Sequence, residues 1–106
     1  MSGRDLIAAY MMTNKDYGTL YTGVTSNLIR RIHEHREGVV PGFTATWGLK
    51  RLVWFQLFGS VTEAIQREKT VKHYVRAWKI KLIEADNPHW LDLYPGLLAR
   101  GGPAPG

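Results

Sequence analysis

Three ionisable side chains stand where a packed core calls for hydrocarbon. Along Leu28–Arg36 the positions i, i+3, i+4 and i+7 are Leu28, Arg31, Ile32 and His35, so one helix face mixes two apolar side chains with a guanidinium and an imidazole. Arg30, Glu34 and Glu37 fall toward the other side, where charge belongs. A later stripe, Val61, Ala64, Ile65, Glu68, Val71 and Val75, carries a carboxylate in the same manner. A carboxylate withdrawn from water needs an ion partner, a metal or a proton. Two helices that each turn charge toward one sheet imply a shared polar site. Taken singly, each residue keeps a structural reading as well. Arg31 and Glu68 can form an ion pair, His35 can be a satisfied boundary histidine, and Tyr10 and Tyr21 can be strand residues of a core.

The elements that must position these groups follow from periodicity and turn chemistry. Leu6–Met12 reads as a strand apolar on both faces, hence central or covered on both sides. Thr13–Gly18 is a turn, and Thr19–Val24 returns as the second strand of a hairpin. Thr25, Ser26 and Asn27 offer N-caps to a helix from Leu28 to Arg36 that ends near Gly38. Gly38–Leu49 reads as a loop, and Leu52–Phe58 as a third strand apolar on both faces. Ser60-Val61-Thr62-Glu63 matches a capping box and opens a helix to about Tyr74. A further helix, Trp78–Glu84, stops at Asp86-Asn87-Pro88. Trp90, Leu91, Leu93 and Tyr94 are expected to pack back on the body. The pattern is β-β-α-β-α-α, an α+β domain with a small three-stranded mixed or antiparallel sheet flanked by helices.

Composition bounds the function. A chain of 106 residues holds one small domain, expected over residues 1–95, with a flexible Gly/Pro-rich tail over 96–106. The absence of cysteine excludes a disulfide framework, a thiolate metal site and a cysteine nucleophile, and fits a reducing compartment. Leu6–Met12 is too short to span a bilayer; it follows Arg4 and Asp5 and lacks a small-residue cleavage site, so a secretory signal is not expected. Fourteen Lys and Arg against nine Asp and Glu give a net charge of +5, with four Trp and five Tyr. A basic, aromatic-rich domain of this size points to a polyanionic partner, nucleic acid first.

Taken jointly, the residues resemble the GIY-YIG nuclease family. The two short strands that name it correspond to Ala8-Ala9-Tyr10 and Tyr21-Thr22-Gly23. The helix Asn27-Leu28-Ile29-Arg30-Arg31-Ile32-His33-Glu34-His35 matches the family's arginine at Arg31, and His35 matches a position held by Tyr or His. Ala64-Ile65-Gln66-Arg67-Glu68-Lys69 carries the metal-binding glutamate as Glu68. Pro41-Gly42-Phe43-Thr44, Arg51–Phe55 and Asn87–Leu93 resemble a branch of small, single-domain bacterial members, so the likeness covers roughly residues 6 to 94. The first tripeptide lacks its glycine and isoleucine, and Val24 replaces a lysine found in some repair-associated members.

The resemblance implies phosphodiester hydrolysis. Arg31 offers a planar fork matched to phosphate oxygens. Glu68 would hold one Mg²⁺ or Mn²⁺, a hard ion that keeps most of its waters. Tyr10 would position or activate the water, Tyr21 would orient phosphate, and His35, whose imidazole titrates near neutrality, would assist either. Gly23 would let the backbone approach the site closely. Arg30, Lys50, Arg51, Arg67, Lys69, Lys72 and Arg76 would track phosphates. Trp47, Trp54, Tyr74 and Trp78 are candidate stacking platforms, with Trp54 better read as core. The expectation is a cytoplasmic, metal-dependent DNA endonuclease, monomer or weak homodimer, acting on single-stranded or branched DNA in preference to plain duplex. The alternative is a binding module on the same fold that cuts nothing.

Overall fold

The computed structural model describes residues 6–39 and 42–101. Its elements are β1 (Ile7–Thr13), β2 (Leu20–Thr25), α1 (Leu28–Glu37), α2 (Phe43–Trp47), β3 (Arg51–Phe58), α3 (Val61–Lys72), α4 (Arg76–Asp86) and α5 (Tyr94–Gly101). The strands form one antiparallel sheet in the order β2-β1-β3. β1 is central, as its unbroken apolar run requires, and every residue from Ala8 to Thr13 is fully buried. A register shift between Met11 and Met12 marks an irregularity in its pairing with β3.

Alternation along β1 divides the core in two. Ala8, Tyr10 and Met12 face Leu28 and Ile32 of α1 and Leu97 of α5. Ala9 and Met11 face Val71 of α3, Ile83 of α4 and the ring of Trp90. Each fully buried aliphatic side chain of this kind contributes about 2 kcal/mol of apolar transfer. The sheet is therefore a shared wall, with α1 and α5 on one side and α3 and α4 on the other.

Caps fix where the helices begin and end. Asn27 accepts the Arg30 N–H at the start of α1, and Gly38 closes that helix at φ 73°, a left-handed conformation suited to glycine. Ser60 accepts the Glu63 N–H at the start of α3, as the serine of the capping-box motif predicts. At the hairpin, Asn14 accepts the Thr19 N–H across a turn that holds Tyr17 at φ 55°.

Several expectations are corrected. The loop expected over Gly38–Leu49 contains α2, a five-residue helix. α3 ends at Lys72 instead of Tyr74, and α4 runs from Arg76 to Asp86, longer at both ends than Trp78–Glu84. The flexible tail expected over 96–106 overlaps α5, whose Leu97 is buried in the core; residues 102–106 lie outside the described residues. The side chain of Asp92 accepts the Tyr94 N–H and the Leu52 N–H, which ties the start of α5 to β3. The inward stripe of α3 is also narrower than the sequence implies: Ala64, Glu68 and Val71 are buried, while Val61, Ile65 and Val75 are exposed. Leu91 likewise stays exposed, whereas Trp90 and Tyr94 pack as expected.

Candidate active site

β1, β2 and α1 bring three aromatic side chains together. Tyr10 on β1 pairs across the ladder with Gly23, and Tyr21 on β2 pairs with Met12, so both tyrosines lie on the α1 face of the sheet. From α1, His35 reaches the Tyr10 hydroxyl, with Nε2 at 2.9 Å. The His35 ring meets both tyrosine rings edge-on, at 5.7 Å from Tyr10 and 5.8 Å from Tyr21, and the two tyrosine centroids are 6.3 Å apart. Tyr10 and His35 are both buried.

Gly23 explains how two tyrosines fit at one place on the sheet. A Cβ there would lie 2.7 Å from Cζ and from the oxygen of Tyr10, and 2.8 Å from Cε2 of Tyr21. The missing side chain is the space the two rings occupy.

Arg31 stands one turn before His35 on α1. Its guanidinium pairs with Glu34 at 3.3 Å and is half exposed. It lines a cavity of about 310 Å³ with Val24, Thr25 and Ser26 from the end of β2 and Val61 and Ile65 from α3. Helices from opposite faces of the sheet thus meet beyond the edge strand β2. A second cavity, about 260 Å³, lies between Arg30, Arg31 and Glu34 and the Thr25–Asn27 segment.

The electrostatics favour neutral partners in the Tyr10–His35 bond. Burial, then the neighbouring Tyr21, pushes the Tyr10 phenol far above its ordinary value, and the charge and hydrogen-bonding approach of Arg31 oppose this only in part. Burial, then the Arg31 charge, lowers the His35 imidazole below its ordinary 6.5, with Glu34 opposing.

Glu68 is buried on α3, between Ala64 and Val71. Among the described residues its ion partner is Lys72, with Nζ 3.0 Å from Oε2, and Arg31 pairs with Glu34. The Arg31–Glu68 brace is therefore not formed. Glu68 shares α3 with Val61 and Ile65, which line the cavity beside Arg31. The Glu68 carboxylate could offer an oxygen to a hard divalent ion, which would have to displace the Lys72 ammonium. Among the described residues no three His, Asp or Glu gather as a larger metal cluster.

The basic residues fall into two groups. Arg30, Lys50, Lys69 and Lys72 are exposed. Arg51 donates to Asp16 at 2.6 Å and to the Trp90 carbonyl at 3.0 Å, and Arg76 donates to the Tyr17 and Gly18 carbonyls at 2.6 and 2.8 Å. Arg67 donates to Gln56 and Tyr74. Trp54 is buried in the core, as its place in a strand implies, whereas Trp47 is 55% and Trp78 59% exposed. Asn87 gives its amide to the Val53 and Leu91 carbonyls, anchoring the end of α4 to β3. Sequence reasoning missed the pairing of Lys72 with Glu68, although the i, i+4 spacing of opposite charges was its signal. It also missed Thr22, whose buried hydroxyl has no hydrogen-bond partner among the described residues.

An antiparallel three-stranded sheet with paired tyrosines on adjacent strands, an arginine and histidine on the next helix and a glutamate on a later one defines a GIY-YIG type of α+β domain. Residues 7–81 match the GIY-YIG catalytic domain, and the chain belongs to that family. It is similar to a UPF0213 protein of Staphylococcus haemolyticus, at 39% identity over 71% of this chain and 90% of that protein. A UPF0213 protein of Clostridium perfringens is 38% identical over 72% of this chain and 81% of its own length. The solution structure of a UPF0213 protein from Bacillus halodurans superposes with a TM-score of 0.52 at 34% identity, covering 81% of this chain and 90% of that one. No helix among the described residues is long and apolar enough to cross a membrane.

Proposed function

We propose that the chain is a metal-dependent DNA endonuclease, acting in the cytoplasm on single-stranded or branched DNA in preference to plain duplex. The observation that carries this reading is the 2.9 Å contact between the Tyr10 hydroxyl and His35 Nε2, set beside Arg31 at the edge of the sheet. Glu68 would hold one Mg²⁺ or Mn²⁺, which supplies charge neutralisation at the phosphate and the departing oxygen.

The remaining chemistry belongs to the chain. A phenol held protonated has its own hydrogen to direct at Nε2, so His35 accepts there in its Nδ1–H tautomer. As an attacking water gives a proton to the Tyr10 oxygen, the phenolic proton moves to Nε2 of His35. This relay removes the need for a free phenolate, which burial of Tyr10 disfavours. Arg31 holds the phosphate in its planar fork and balances the charge that grows on it. Tyr21 orients a phosphate oxygen. Exposed Arg30, Lys50, Lys69 and Lys72 follow the flanking phosphates, whereas Arg67 is engaged by Gln56 on β3 and by Tyr74. Arg51 and Arg76 act through the turns they brace. The preference for unpaired strands is supported by the small size of the domain and its exposed Trp47 and Trp78.

The test is incubation with single-stranded, duplex and flap DNA, with and without Mg²⁺. Cleavage confined to the Mg²⁺ samples and fastest on single strands or flaps is expected. No cleavage of any substrate under either condition overturns the reading.

A further inference from the structure

Lys72 sits on the last turn of α3, one turn beyond Glu68, with its ammonium 3.0 Å from Oε2. The two residues are unequal partners. Glu68 is fixed in a buried position, whereas the Lys72 side chain is 57% exposed on a flexible stem that can swing into water. A divalent ion and an ammonium cannot both sit on one carboxylate without strong repulsion. The same helix lends Val61 and Ile65 to the cavity that Arg31 lines, where the phosphate would approach.

Resting on the metal-dependent reading above, we infer that Lys72 is a tethered stand-in for the divalent ion. It neutralises Glu68 while the site is unloaded, competes with the incoming metal, and moves to a DNA phosphate when both arrive. Lys72 thereby links the two binding events, because a phosphate that draws the ammonium away from Glu68 removes the competitor for the metal. Linkage requires the reverse as well, so metal on Glu68 tightens the hold on DNA.

The test is Mn²⁺ binding, followed by electron paramagnetic resonance of the free ion, in the wild type, Lys72→Met and Glu68→Gln. Each is measured alone and with a single-stranded phosphorothioate oligonucleotide that resists cleavage. Met keeps the aliphatic stem and removes the charge; Lys72→Gln provides a second variant, and thermal unfolding verifies that all are folded. An ion pair with its cation exposed contributes about 1 kcal/mol, roughly fivefold in Kd, so Lys72→Met without DNA is expected to bind Mn²⁺ about fivefold more tightly than wild type. Adding the oligonucleotide should tighten Mn²⁺ binding in the wild type more than in Lys72→Met. Equal or weaker Mn²⁺ binding in both Lys72 variants, with binding still dependent on Glu68, overturns the inference alone. Mn²⁺ binding unchanged in Glu68→Gln overturns the metal site itself, and the inference with it.

Discussion

The Tyr10 hydroxyl and Nε2 of His35 meet at 2.9 Å although 25 residues separate them in the chain. The contact joins the central strand to α1 and is buried on both sides. It is one link of a cluster that also holds Tyr21, with Arg31 a turn away on the same helix. A buried hydroxyl against a buried imidazole requires a hydrogen between them, and that hydrogen is what the proposed chemistry moves.

Replacing Tyr10 with Phe removes that hydrogen and keeps the ring. Strand cleavage should fall by about 10²- to 10⁴-fold, the usual contribution of a positioned acid or base. Leaving Nε2 of His35 unsatisfied should also cost about 1–3 kcal/mol of stability. Quenched-flow cleavage and urea unfolding of the same variant measure the two effects separately.

The pH profile follows from His35. Its imidazole is lowered from 6.5 in the folded chain, so it remains a neutral acceptor as the pH falls through 6.5. Cleavage should hold through that value and decline only at lower pH. Stability carries the same sign. The unfolded chain takes up the proton first, so the contribution of His35 is fully present above 6.5 and is lost as the pH falls toward the folded value. Urea midpoints across this window should drop in the wild type, and drop less in a His35→Phe variant.

Much of this arrangement is legible in the amino-acid sequence. Leu28, Arg31, Ile32 and His35 marked a mixed helix face, and the structure buries Leu28, Ile32 and His35 while leaving Arg31 half exposed at the cavity. Glu68 stood in an apolar stripe, and it is buried. Its partner was misassigned: the two stripes pointed to Arg31, whereas Lys72, at the i, i+4 spacing, is the cation that pairs with it. α5 escaped notice because Tyr94-Pro95-Gly96 reads as a turn. Proline near the first position of a helix removes no needed hydrogen bond, and Asp92 accepts the Tyr94 N–H just ahead of it. α2 was hidden by its length of five residues between Gly42 and Gly48.

α5 gives a stability prediction of its own. Leu97 is buried against the β1–α1 core, so Leu97→Ala should destabilise the domain by about 2–5 kcal/mol in equilibrium unfolding. A flexible tail would show no change.

Gly23→Ala forces a methyl into the space of two rings, with contacts of 2.7 and 2.8 Å that neither aromatic can relieve by bending. A loss of about 1–3 kcal/mol is expected. The aromatic proton shifts of Tyr10 and Tyr21 should move together in the NMR spectrum.

Arg31→Lys keeps the charge and removes the planar fork. Cleavage should fall about 10²-fold, while unfolding changes by less than about 1 kcal/mol because the Glu34 pair is partly solvated.

Glu68→Gln provides the most direct measurement, made as Mg²⁺-dependent strand scission beside the thermal midpoint of the same preparation. The expected result is a folded variant with a midpoint close to wild type and no detectable cutting of DNA that the wild type cleaves. Cutting at the wild-type rate would rule out Glu68 as the metal-holding residue.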